Sequence, residues 1–141
     1  MRSSKRLVLP ASLAALAMLL LVACAPPKRD LAPDQIEKLD KLSDVMDVQA
    51  TVADPQFKKI GAGTLGDADW PGIADMASRI QATSLKIHQF SKGPDFDKLA
   101  DRLHSGAQAL ATASSSKDAH AALATLAEMK ATCKECHSKF K

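Results

Sequence analysis

Cys133, Cys136 and His137 stand at positions i, i+3 and i+4, with four residues following the histidine. No other spacing in the sequence constrains its fold as tightly. On an α-helix those positions share one face, so the segment is expected to be helical, with two thiols and an imidazole pointing the same way. The pattern C-x-x-C-H is the attachment sequence of a c-type haem. Each thiol adds to one vinyl group of a single porphyrin, and the imidazole can then reach the iron. Such a cofactor carries the reactive chemistry, while the protein tunes it through ligands, hydrogen bonds and burial. A redox dithiol would need a βαβ context that the sequence lacks. A zinc site would need further Cys or His at ligand spacing, and none is close.

Haem attachment of this kind takes place outside the cytoplasm, so an export signal is expected. Met1 to Arg6 is a basic stretch with Arg2, Lys5 and Arg6, followed by an apolar run from Leu7 to Val22. That run is shorter than the roughly 20 residues of a membrane-spanning helix and has the flanks of a signal peptide. It ends in Leu21-Val22-Ala23-Cys24, the form of a bacterial lipobox, in which the cysteine is lipidated and becomes N-terminal after cleavage. The alternative is an ordinary signal peptide cut near Ala23 or Ala25, with Cys24 incidental. In the lipoprotein reading residues 1–23 are the signal peptide, 24–33 a proline-rich tether and 34–141 the folded domain. The cell envelope is then the location, with the lipid on Cys24 holding the chain to a membrane and the domain facing the periplasm. Ala25, where an aspartate would retain some lipoproteins in the inner membrane, points to the outer one.

This assignment uses all three cysteines and leaves none for a structural disulfide. It also removes the apparent basicity. The formal charge of +3 comes from Arg2, Lys5 and Arg6, and the remaining basic residues balance the 16 acidic ones. Nucleic acid is therefore not expected as a partner. The mature length fits one small core.

The remaining pattern predicts four helices, an all-α fold. Ile36, Leu39, Leu42 and Met46 recur at three- and four-residue spacing, beside Val45, Val48 and Val52. Asp34 with Glu37 three residues later forms a capping-box pattern that starts this first helix, and Asp54-Pro55 stops or kinks it. Gly61 to Asp69 is a flexible connection. A second helix starts around Asp69-Trp70-Pro71, carries Ile73, Met76, Ile80 and Ile87, and ends by Gly93-Pro94. A third runs from Asp95 to about Ala113 with Phe96, Leu99, Leu103, Ala107 and Leu110 inward. The fourth follows the serine patch Ser114-Ser115-Ser116 and leads through Leu123, Leu126 and Cys133 to His137 and Phe140. Short connections favour antiparallel neighbours, hence an up-down-up-down four-helix bundle.

An all-helical domain with C-x-x-C-H near the end of its last helix, followed by an aromatic and a basic residue, resembles the class II cytochromes c. These are cytochrome c′ and its low-spin relatives. The resemblance spans residues 34–141 and is most specific at the terminal motif. It implies one covalent haem c, with Cys133 and Cys136 as thioether anchors and His137 as the proximal ligand. It also implies that the first helix presents a residue to the other face of the haem. Met46 is the only methionine there, within the turns expected to flank the haem, and is the expected sixth ligand. Relatives often dimerise through their first two helices, so a homodimer is an expectation as well. Many cytochromes c′ carry an arginine on the first helix; this chain has Lys38 and Lys41 instead.

A thioether opposite His137 gives a low-spin His/Met iron with a raised potential, suited to electron transfer with redox partners in the envelope. The alternative is a five-coordinate, high-spin iron that binds NO or CO. His88, near the haem end of the second helix, is the rival ligand. His104 lies at the edge of a stripe, and His120 is ~25 Å from His137 along one helix. An enzyme such as a peroxidase is not expected. It would need a distal acid–base pair, and no His or Glu flanks Met46 apart from Glu37.

Overall fold

The computed structural model describes residues 30–141. The expected signal peptide, the lipidated Cys24 and most of the tether lie outside them. Five α-helices follow: α1 Pro33–Ile36, α2 Leu42–Phe57, α3 Trp70–Ile87, α4 Pro94–Ser116 and α5 Ala119–Phe140. Two 3₁₀ turns flank α3, at Asp67–Asp69 and His88–Phe90. The long helices α2 to α5 form the expected all-α arrangement, consistent with a four-helix bundle. No helix among the described residues is long and apolar enough to cross a membrane.

Side-chain contacts give the register. Gln49 on α2 meets Thr83 on α3, and Gln56 approaches Gly72. On α3 and α4, Ser84 meets His104 while His88 meets Asp97 and Asp101. Arg102 on α4 reaches Glu135 on α5, and Gly106 packs on Met129. In each pair one helix number rises as the other falls, so successive helices are antiparallel. Contacts are dense between α3 and α4, between α4 and α5 and between α2 and α3, but sparse between α2 and α5.

The core divides into two apolar clusters. The larger joins Trp70, Ile73, Met76 and Ile80 of α3 to Leu103 and Leu110 of α4 and Leu126 and Met129 of α5. The smaller joins Ile36, Leu39, Val45 and Val48 to Ile87, Phe96 and Ala100. Cys133 packs against the first and Cys136 against the second.

Three local expectations need correction. The first helix is not continuous: α1 is one turn, and α2 starts afresh at Leu42 after an extended Lys41 (φ −127°, ψ 133°). Asp34 lies inside α1 rather than capping it; the Gln35 Oε1 accepts from the Ala32 N–H at 3.0 Å instead. The break lets Ile36 and Leu39 both turn inward, and α1 packs on α3. The Glu37 carbonyl, left without an intrahelical partner by the break, accepts from Lys86 Nζ of α3 at 2.7 Å. Second, Pro55 does not stop α2, which continues to Phe57. A proline this near the end removes a single hydrogen bond. Third, the serine patch belongs to α4. Ser115 and Ser116 donate to the carbonyls of Ala111 and Thr112, one turn back. The helix stops only at Lys117, which takes a left-handed conformation (φ 54°).

Candidate haem site

Asp118 starts α5, its carboxylate accepting from the Ala121 N–H at 2.9 Å. Ala122, Leu126, Met129 and Thr132 then form its buried face, which the motif continues. Cys133 and Cys136 are half-buried free thiols, and His137 is exposed. Lys134 and Glu135 lie between them, and Glu135 turns away to bond Arg102 Nη1 at 2.7 Å and Lys139 Nζ at 2.9 Å. Those two cations hold the Glu135 carboxyl below its ordinary range.

Both thiols and the imidazole border one small cavity of ≈30 Å³. Its apolar wall comes from Ile87 and from Phe96, Leu99 and Leu103 of α4, and α2 contributes Met46 and Gln49. An open groove of ≈490 Å³ shares Met46, Phe96, Cys136 and His137 with that cavity and adds Leu42, Lys92 and Phe140. Cavity and groove together follow the thinly packed seam between α2 and α5. Phe140 closes one end, its ring edge-on to Phe96 with centroids 5.2 Å apart. Lys92 Nζ donates to the Phe140 carbonyl at 2.7 Å and holds the chain end in place.

The residues present fit a haem. The groove volume lies within the ~300–1,000 Å³ typical of cofactor sites, and its lining is mainly apolar. The donor set is right in kind, two thiols for the vinyl groups and an imidazole for the iron. Burial pushes the Cys133 thiol up to about 11, with Cys136 and Asp54 adding in the same sense. Cys136 is raised as well, chiefly by burial, though Lys92 and Lys139 pull the other way.

The other sequence candidates fall as follows. Met46 is half-buried and lines both cavity and groove. His88 lines neither; its Nε2 lies 3.0 Å from Asp101 Oδ1 and its Nδ1 3.6 Å from Asp97 Oδ1. His104 is tied to Ser84 Oγ at 3.0 Å, and His120 is exposed at the far end of α5. Lys38 and Lys41 are exposed at the α1–α2 break. Sequence reasoning missed Gln49. It occupies a position in the apolar stripe of α2, flanked by Val45, Val48 and Val52, and a polar side chain there was the available signal.

No curated protein and no solved structure matches the chain. A protein-family model described as Cytochrome C' matches residues 72–141. That stretch takes in nearly all of α3, with α4, α5 and the C-x-x-C-H motif, and stops short of α2 and Met46. Over its last three helices, then, this chain is similar to the cytochrome c′ family.

Proposed function

We propose that the chain carries one haem c, bound covalently through Cys133 and Cys136, with His137 as the proximal ligand of the iron. The observation that carries this reading is the convergence of both thiols, the imidazole and Met46 on one apolar cavity. The cytochrome c′ match supports it separately, because it spans the motif. When bound, the haem supplies one-electron chemistry and a metal able to take a small ligand. The chain would anchor it on α5 and wall it with Ile87, Phe96 and Leu99. The cytochrome c′ match supports a haem carrier or binding protein rather than an enzyme.

The matched family favours a five-coordinate, high-spin iron whose open side faces α2 and takes NO or CO. In that reading Met46 is a wall of the ligand pocket. A second reading is favoured by the place of Met46 itself, on the cavity that His137 borders from the other helix. Its thioether would close the sixth position and make a low-spin electron carrier. Absorption spectra of the oxidised and reduced holoprotein, with and without CO, separate the two. The first reading expects a high-spin spectrum, immediate CO binding and little change in Met46→Ala. A low-spin spectrum that turns high-spin in Met46→Ala, with loss of a weak far-red sulfur-to-iron band, would establish the second. Loss of covalent haem in the Cys133→Ala/Cys136→Ala chain tests the attachment itself.

A lipid on Cys24 would hold this domain at the periplasmic face of a membrane, near transient redox partners of small contact area. Release of the Cys24→Ala protein into the soluble periplasmic fraction is the expected outcome.

A further inference from the structure

The haem-site cavity is apolar except for a few side chains, and their hydrogen bonds divide them. Thr132 spends its hydroxyl proton on the Glu128 carbonyl, at 3.0 Å. His137 is the proximal ligand in the reading above. Gln49, 8% exposed, is the third, one helical turn beyond Met46 on α2. Its Nε2 donates to Thr83 Oγ1 at 3.1 Å. The Thr83 hydroxyl, fully buried, itself donates to the Arg79 carbonyl at 2.9 Å, so its oxygen is left as an acceptor. That chain of donors fixes the amide with its NH₂ group toward Thr83. One N–H of that group is thus used and one remains. Among the described residues Thr83 is the one side chain bonded to the amide. A pre-oriented donor in an apolar cavity is worth more than the same group in solvent.

We propose that Gln49 is the polar recognition group of the ligand pocket, donating its second amide N–H to the outer atom of a small ligand held on the α2 side of the haem. The ligand class is a neutral diatomic whose outer atom gains electron density on binding, as NO and CO do. Thr83 acts through Gln49 as a positioning residue, holding the amide plane. The assignment rests on the five-coordinate reading, and its test separates the two.

The experiment is vibrational spectroscopy of the ferrous CO complex of the full holoprotein, with ligand dissociation rates measured alongside. A hydrogen bond to the CO oxygen lowers the C–O stretching frequency by favouring electron donation from iron. Gln49→Leu is therefore expected to raise that frequency and to speed dissociation about 5-fold, the value of one neutral hydrogen bond. Thr83→Val keeps the amide but frees it, and is expected to broaden the band and move it part of the way. An unchanged frequency in Gln49→Leu, with CO still bound and the haem still attached, would overturn the role of Gln49 and leave the open site standing. If Gln49→Leu fails to take up haem, an unshifted, equally narrow band in Thr83→Val overturns the proposal. Wild-type protein that stays low-spin and takes no CO would overturn both this role and the five-coordinate reading.

Discussion

Cys133 and Cys136 are one turn apart on α5, yet their surroundings differ. Cys133 reaches the larger core cluster and its thiol is pushed up to about 11 by burial, while Cys136 faces the smaller cluster beside the open groove. Only the thiolate is a competent nucleophile. In the haem-free chain iodoacetamide should therefore alkylate Cys136 first, and the Cys133 rate should keep climbing as pH rises toward about 11. Peptide mapping after timed quenching reads both rates; equal reactivity at neutral pH would contradict the burial difference. At this scale the motif was fully legible, because spacing alone puts three groups on one helical face. Gln49 was not, since its use depends on Thr83, 34 positions away in sequence.

The helices show why some boundaries could be read and others could not. The stripes of α3 and α4 set their own length, and Pro71 and Pro94 sit in their first turns, as proline should. The α1–α2 break has no comparable sign: Glu37 to Lys41 contains neither glycine nor proline. It exists because Ile36 and Leu39 find α3, and because Lys86 supplies a donor to the exposed turn. Such a contact is tertiary, and local periodicity does not record it. Between α4 and α5 the close approach depends on Gly106, where an added Cβ would lie 2.8 Å from Met129 Cγ. Alanine would gain up to about 1 kcal/mol of helix propensity. Overpacking costs about 1–3 kcal/mol, so the clash prevails, and Gly106→Ala should lose roughly 1 kcal/mol net. Urea denaturation of the holoprotein checks this, and a rise in midpoint would refute it. Leu126→Ala, at a fully buried position of α5, should cost more, about 2–5 kcal/mol.

For the whole molecule, charge acts mainly at the surface. Asp67 is held below its ordinary range by a hydrogen bond from Lys117, Asp69 by Lys59 and the Gly66 N–H, and Glu135 by Lys139 and Arg102. A carboxylate whose folded pKa is depressed adds stability above its unfolded pKa and loses that addition as pH falls through the folded value. Stability should therefore be level down to about pH 4–5 and decline below it. In Glu135→Gln the decline should be shallower, as read from urea midpoints across pH. Salt should shrink that difference, because these pairs face solvent.

The thin seam between α2 and α5 has a consequence for how the protein matures. Contacts are sparse at this interface, and a groove of ≈490 Å³ lined by Met46, Cys136 and His137 runs along it. A group that fills it binds the folded arrangement and not the unfolded one, so its affinity adds directly to the stability of the docked α2. Hydrogen exchange should accordingly find the α2 amides poorly protected in the haem-free chain and strongly protected in the holoprotein, with α4 little changed. Equal protection of α2 in both forms would count against the seam as the cofactor's place. The order of assembly follows. Under the proposed function, a hairpin of α4 and α5 would present the thiols to a haem-attachment machinery while α2 still stands aside. The docking of α2 over the attached group, not the covalent step, would then be the last event of folding.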